Sequence, residues 1–285
     1  MSSPQTRELV LTLSCPDRPG IVHAVSGFLA ERQCNILDSQ QYGSPRTSTF
    51  FLRVHFDSPI EQTPLAAELA PVAAPFGMQW DLHDSSHRPG VLVMASREGH
   101  CLNDLLYRWR AGYLPGNIAG VVSNHTDLAG LASSYDVPFH HLPVTPETRV
   151  DQEQKVLDLV ASLDIGLVVL ARYMQVLSPQ FCGALPGRII NIHHSFLPSF
   201  RGGRPYEQAY AHGVKLIGAT AHYVTADLDE GPIIEQEVAR VGHGHDPAAL
   251  AAVGRDLECV ALARAVRWHL EHRVLPDGQR TVVFA

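Results

Sequence analysis

The residues that can do chemistry in this chain fall in two short segments. The first, Asn191-Ile192-His193-His194-Ser195-Phe196-Leu197-Pro198, leaves an aliphatic run and enters a Pro/Gly stretch that continues to Gly203. In an extended segment alternate side chains share a face, so Asn191 and His193 are expected on one side and His194 on the other. An amide beside an imidazole can grip one carbonyl oxygen and stabilise the charge that acyl transfer builds on it. The second segment, Gly218 to Ile234, carries His222, then a loop with Asp227, Asp229 and Glu230, then Gly-Pro and a new aliphatic run. A loop carboxylate can move protons if its pKa is raised by burial or by another anion. Residue type and spacing do not choose among the three acids. His193, His222 and Asp229 also make a two-His, one-carboxylate set, but their spacing is not that of a local ligand motif, so acid–base use is expected rather than metal binding.

The elements that must hold these segments can be read from periodicity. Residues 8–15 read as a strand, and a Pro-Gly turn at 16–20 leads into a helix with Ile21, Val22, Val25, Phe28 and Leu29 on one face. Strands are expected at 35–42 and 47–56, a helix within 59–74 and a strand at 77–84. This β-α-β-β-α-β order is the ferredoxin-like arrangement. A polar Pro/Gly segment then marks a boundary. Beyond it, continuous aliphatic runs at 91–95, 118–123, 165–170, 188–192 and 216–224 alternate with helical stretches at 102–110, 128–134, 156–163 and 248–270. That pattern predicts a Rossmann-like, mostly parallel sheet with helices on both faces. Ligands of such sheets bind beyond the carboxyl ends of strands, where both chemical segments fall. The expected division is residues 1–84, a linker at 85–90, and a catalytic domain over 91–285.

Composition narrows the function. In 285 residues, 22 Lys+Arg against 29 Asp+Glu give a net charge of −7, which argues against a nucleic-acid surface. No apolar run approaches the roughly 20 residues of a membrane helix, and the N-terminus has no apolar leader. Five scattered cysteines without a C-x-x-C pair predict reduced thiols in a cytoplasm, with Cys101 a small buried residue. Of the 16 histidines, His140-His141 and His243-x-His245 are expected on surface loops, and His194 in a structural role.

The pairing of NIHHSFLP with an H-x6-D-x-GPII segment resembles the folate-dependent formyltransferase superfamily. Three features are similar to its deformylase branch: Asp17-Arg-Pro-Gly-Ile-Val22 with Asn35-Ile36, which resembles an ACT regulatory domain; His100-Cys101-Leu102 in place of a Gly-Ser-Asn phosphate loop; and the stretch from Gly203 to Thr220. The resemblance implies hydrolysis of 10-formyltetrahydrofolate to formate and tetrahydrofolate, with formate feeding purine synthesis. The alternative is transfer of the formyl group to an amine. A third reading is an amino-acid-sensing module on a degenerate folate-binding domain, against which intact Asn191, His193 and Asp229 weigh. By resemblance Asn191, His193 and Asp229 are catalytic and His222 supports Asp229. Folate meets Met174, Gln175, Val176, Leu177, Thr225, Ala226 and Leu228. An effector, glycine or methionine, would meet Asp17, Gly20 and Asn35. The resemblance implies no metal and no cofactor beyond the folate substrate, no nucleic-acid or membrane partner, and a cytoplasmic homo-oligomer paired through ACT domains. Thr47-Ser48-Thr49 departs from the ACT pattern, where an acidic residue and Gly are common.

Overall fold

The computed structural model describes residues 6–197 and 205–285. The chain forms two compact units, one of residues 1–88 with 271–285 and one of 89–270.

The first unit starts with β1 (Arg7–Pro16), α1 (Ile21–Glu31), β2 (Asn35–Ser44), β3 (Thr49–Ser58), α2 (Gln62–Ala73) and β4 (Gln79–Asp84). The strands form an antiparallel sheet in the order β2-β3-β1-β4. The expected β-α-β-β-α-β order is therefore present. Leu9, Leu11 and Leu13 of β1 and Phe50, Leu52, Val54 and Phe56 of β3 face the helices, where they pack with Val25, Phe28, Leu29, Leu65 and Leu69. The period of two in each strand is what puts them on one face. On α1 the buried stripe is Ile21, Val25, Phe28 and Leu29, while Val22 is 44% exposed. The i, i+4, i+7, i+8 spacing excludes position 22, which corrects its expected place on the apolar face. Gly20, at φ 97°, supplies the left-handed turn before the helix, so Pro19 lies ahead of the first turn and not in it.

The second unit contains β5 (Gly90–Ala95), α3 (His100–Arg110), β6 (Asn117–Ser123), α4 (Ala129–Ser134), β7 (Phe139–His141), α5 (Arg149–Ser162), β8 (Ile165–Leu170), α6 (Pro179–Ala184), β9 (Ile189–His193), α7 (Pro205–Ala211), β10 (Leu216–Tyr223), β11 (Ile233–Arg240) and α8 (Pro247–Leu270). Its sheet has the order β11-β10-β9-β8-β5-β6-β7. β7, β6, β5, β8 and β9 run parallel, and β10 turns antiparallel to both β9 and β11. β5 and β8 are buried almost throughout, which is why their sequences, GVLVMA and IGLVVL, read as unbroken apolar runs. After β7 the chain crosses to the other side of β5 to make β8. This reversal opens a crevice beyond the carboxyl ends of β5 and β8. His140 and His141 lie in edge strand β7, not on a loop as their polarity suggested. Three residues of strand are too few to carry a periodicity.

The expected catalytic domain over 91–285 does not hold to its end. β12 (Val274–Asp277) and β13 (Arg280–Val283) form a hairpin in the first unit. Leu275 and Phe284 pack on Phe51, which is on the face of β3 opposite the helices. On that same face Arg53, 3% exposed, donates from Nε and Nη2 to the Glu271 carbonyl at 3.3 and 3.1 Å. Nothing in a short alternating tail distinguishes a cover for one sheet from a cover for another. Ending the chain at Leu270 is expected to uncover Phe51 and leave the buried guanidinium of Arg53 short of acceptors. The first unit should lose about 3 kcal/mol or more, read as an earlier first transition in urea unfolding.

Candidate active site

The site is built on the ends of β8, β9 and β10. The register of β9 against β10 places Asn191 opposite His222 and His193 opposite Thr220. Asn191 Nδ2 lies 3.2 Å from His222 Nε2. His222 Nδ1 lies 2.9 Å from the Tyr223 carbonyl, so that nitrogen carries the proton and Nε2 accepts from the Asn191 amide. Thr220 holds the chain just after His193. Its hydroxyl donates to the Ser195 carbonyl at 2.9 Å and accepts from the Leu197 amide at 3.1 Å and from Gln236 Nε2 at 3.0 Å.

Asp229 comes in from the loop after β10. Its Oδ2 is 3.2 Å from His193 Nδ1 and its Oδ1 is 3.7 Å from His222 Nε2. The residue adopts φ 56°, a left-handed turn that favours Asn, Asp or Gly. Gly231 keeps this loop close to the strand: a Cβ there would lie within 3 Å of the Tyr223 carbonyl. The Tyr223 amide donates to the Pro232 carbonyl at 2.9 Å. The imidazoles of His193 first and then His222 outweigh desolvation and hold the Asp229 carboxyl well below the usual carboxylate range, opposite to the raised pKa expected of a proton-moving loop carboxylate. His193 Nε2 is buried and has no hydrogen-bond partner among the described residues.

The facing wall is the segment after β8. The Ala171 amide donates to the Met94 carbonyl at 2.8 Å and the Met174 amide to Ser96 Oγ at 3.0 Å, which ties the segment to the end of β5. α5 holds it from outside. Gln152 Nε2 donates to Tyr173 Oη at 3.2 Å, Arg149 to the Val176 carbonyl, and the Ser178 amide to buried Glu153 at 2.8 Å. Burial pushes the Tyr173 hydroxyl up to about 12, so it stays neutral.

Between these walls lies a cleft of about 330 Å³. All four expected catalytic residues (Asn191, His193, His222 and Asp229) line it, as do Met174, Gln175, Val176, Leu177, Thr225, Ala226 and Leu228. Met174, Val176 and Leu228 are 59%, 54% and 63% exposed, an apolar rim above a polar floor. Residues 198–203 of the first sequence segment lie outside the described residues.

Among the lining residues that were not expected there are His194 and Arg172. His194 stacks on His193 with centroids 4.9 Å apart and planes 16° from parallel. The two rings are therefore neighbours and not on opposite faces, because β9 ends at His193 and strand alternation stops with it. Arg172, also in the cleft, donates from Nη1 to His194 Nδ1 at 2.7 Å. Its sequence signal was present in LARYM, but nothing in the sequence named its partner.

Among the described residues, one group could bring His, Cys and carboxylate atoms within ligand distance: His100, Cys101 and Glu258. It does not fit a cation. Glu258 already holds His100 at 2.7 Å and Arg172 at 3.4 Å, and Cys101, hydrogen-bonded to Cys259 and buried, has its thiol pushed well up.

The residues expected to meet an effector do not converge within one chain. Asp17 follows β1, where its amide donates to the Ser48 carbonyl at 2.9 Å, beside the start of β3. Asn35 pairs with Asp57 at the other end of that strand. Eight steps at about 3.3 Å separate the two ends by about 26 Å.

An ACT-type unit of βαββαβ order and an open α/β unit with an Asn-His-Asp cluster at its strand ends define an ACT-linked formyl-group enzyme. The formyl transferase family matches residues 90–266, and the ACT domain family matches residues 9–68. The chain is 49% identical to formyltetrahydrofolate deformylase of Bacillus subtilis, over 96% of this chain and 93% of that one. The crystal structure of formyltetrahydrofolate deformylase from Burkholderia mallei superposes with a TM-score of 0.94 at 51% identity, covering 98% of this chain and all of the other. Glycinamide ribonucleotide transformylase 1 from Symbiobacterium toebii matches 72% of this chain at 33% identity, with a TM-score of 0.66. The chain belongs to the formyltetrahydrofolate deformylase family.

The depressed pKa of Asp229 fixes a sign. A carboxyl with a lowered folded-state pKa adds stability that is present above its unfolded value, near 4, and lost as pH falls through the folded value. The stability difference between the parent chain and Asp229→Asn should be constant above about pH 5 and shrink steadily below pH 4. Urea unfolding across pH 3–7 measures it.

Proposed function

We propose that this chain hydrolyses 10-formyltetrahydrofolate to formate and tetrahydrofolate. The observation that carries the proposal is the convergence of Asn191, His193 and Asp229 at one end of a cleft with an apolar rim. Its relatives named formyltetrahydrofolate deformylase support hydrolysis over transfer to an amine, since they match 96–98% of this chain while the transformylase likeness covers 72% of it.

The pterin lies against the backbone of Met174 to Leu177 and the loop Thr225 to Leu228, and the formyl carbon lies beside the Asn-His pair. Asn191 Nδ2 and protonated His193 Nε2 donate to the formyl oxygen as it becomes an oxyanion, each such donor contributing about 3–4 kcal/mol to the transition state. Asp229 stays ionised at neutral pH because two imidazoles face it. It orients the attacking water, takes its proton, and passes it to N10 as the C–N bond breaks, so that water and formamide leave as formate and a secondary amine. His222, between Asn191 and Asp229, positions both. This reading uses side chains and water alone. The formate would serve purine synthesis, in a reducing cytoplasm that suits five unpaired cysteines.

For the first unit the reading is an amino-acid sensor that pairs with a second copy. β2 is an edge strand with Ile36, Leu37 and Tyr42 39%, 47% and 45% exposed. An effector touching both the Asp17-Gly20 turn and Asn35 requires two chains, since one chain holds them about 26 Å apart. Glycine or methionine is the expected effector.

The purified chain given 10-formyltetrahydrofolate and no amine should release formate. Asp229→Asn should cut kcat by about a thousandfold or more while folate binding persists, and retained turnover would remove Asp229 from the proton path. Leu37→Lys on the edge strand should lower the particle mass in light scattering, and an unchanged mass would place the oligomer contact elsewhere.

A further inference from the structure

Behind the cleft lies a charged cluster that the proposed chemistry does not use. Glu258 of α8 is 1% exposed. Its Oε1 accepts from Tyr206 Oη at 3.0 Å, and its Oε2 lies 2.7 Å from His100 Nε2 and 3.4 Å from Arg172 Nε. Burial raises the Glu258 carboxyl, but His100, Arg172 and Tyr206 together outweigh that and bring it below its ordinary value. It is therefore a resident buried anion, and an uncompensated one would be strongly destabilising. Among the described residues its one fully cationic partner is Arg172, whose Nε donates to exposed Glu98 at 3.3 Å.

Arg172 adopts φ 64°, which is strained for a long side chain. What that backbone achieves is placement: Nε donates to Glu98 with the Glu258 carboxylate 3.4 Å away, while Nη1 donates to His194 Nδ1 at 2.7 Å. A guanidinium can only donate, so His194 Nδ1 must accept and the ring proton must sit on Nε2. Burial first, then the Arg172 charge, lowers the His194 pKa to about 4. Among the described residues, the groups facing His194 from the elements around it are Arg172, His193, Glu258, Asp229 and, with ring centroids 6.5 Å apart, Tyr206. His194 in turn stacks on His193 at 4.9 Å.

We infer that Glu258 and Arg172 are positioning residues for deformylation, which lock His194 as a neutral, Nε2-protonated plate against which His193 is held. The inference rests on the reaction proposed above. Its physical content is that His193 must carry a proton while it binds the oxyanion, and a second charged imidazole stacked on it would oppose that charge. A guanidinium at Nδ1 prevents the second charge, and the buried carboxylate keeps the guanidinium in place. The ring itself blocks one face of His193 and fixes its plane relative to Asp229. None of the three residues exchanges atoms with substrate.

Two measurements test this. The first needs no folate: ¹⁵N spectra of the histidine-labelled full chain, with the His194 signal assigned by its loss in His194→Gln. Between pH 5.5 and 8 His194 should show an unprotonated Nδ1 and a protonated Nε2 and should not titrate. A His194 that titrates there, or that carries its proton on Nδ1, overturns the inference whatever the enzyme's substrate proves to be. The second measurement is the pH profile of formate release. Arg172→Met should lower kcat at least tenfold, change the folate KM less than threefold, and move the acid limb up by about one pH unit as His194 becomes protonatable. Arg172→Lys, which keeps a charge and a donor, should hold the acid limb nearer the parent position. Glu258→Gln should resemble Arg172→Met in direction. A rise in KM alone would make Arg172 a substrate contact, and activity falling only with the folded fraction at an unmoved pH profile would make the cluster purely structural. Either result overturns the inference. Absence of formate from the parent chain would refute the reaction, while the spectra would still read the state of His194.

Discussion

The register between β9 and β10 is the constraint on which the active site depends. Asn191 stands opposite His222 and His193 opposite Thr220 because these two strands pair antiparallel in one alignment. A slip of one residue would turn each side chain to the other face of the sheet. Asn191 would then lose His222, and Asp229 would lose His193. The register is fixed from several directions. β9 lies parallel to β8 with Leu170 beside Asn191, Thr220 binds the segment that follows His193, and Gln236 of β11 reaches across to the same hydroxyl. Apolar burial supplies the rest, since Ile189, Ile190, Ile192, Ala219 and Ala221 are 3% exposed or less. The polar chemistry is thus carried by a sheet whose alignment is set mainly by residues with no chemistry of their own.

Much of this was legible in the sequence. The unbroken aliphatic runs of β5 and β8 have no reading other than buried strands, and they locate the crevice where the walls meet. Asn191 and His193 could be placed on one face by strand alternation alone. Asp229 could not be separated from Asp227 or Glu230 by spacing; the structure distinguishes it by its distances to two imidazoles. His194 was misplaced because alternation was extended one residue past the end of the strand. Arg172 and Glu258 were invisible as a pair, since 86 residues separate them and neither lies in a recurring pattern. Long-range pairs between single polar residues leave no periodicity to read.

Charge is managed in the second unit by matching buried ions with more than one partner. Among the described residues Glu258 has three, and both oxygens of Glu153 take bonds from Ser178 while Arg149 lies 3.5 Å away. Asp229 has two imidazoles and remains part-exposed, with 19% of its side chain open. The two structural carboxylates are sealed, and the one read as moving protons is open to the cleft. That contrast separates an acid used for architecture from one used for turnover more clearly than charge or position does.

The C-terminal hairpin alters how the chain must come together. The first unit begins with β1 and ends with β13, and the entire second unit is inserted between its two parts. During synthesis the ribosome delivers β1 to β4 early, then all of the second unit, and only then the strands that cover Phe51. The sheet of the first unit therefore waits for its cover until these strands emerge. A chain cut short before this hairpin would carry a complete second unit and a first unit that had never closed.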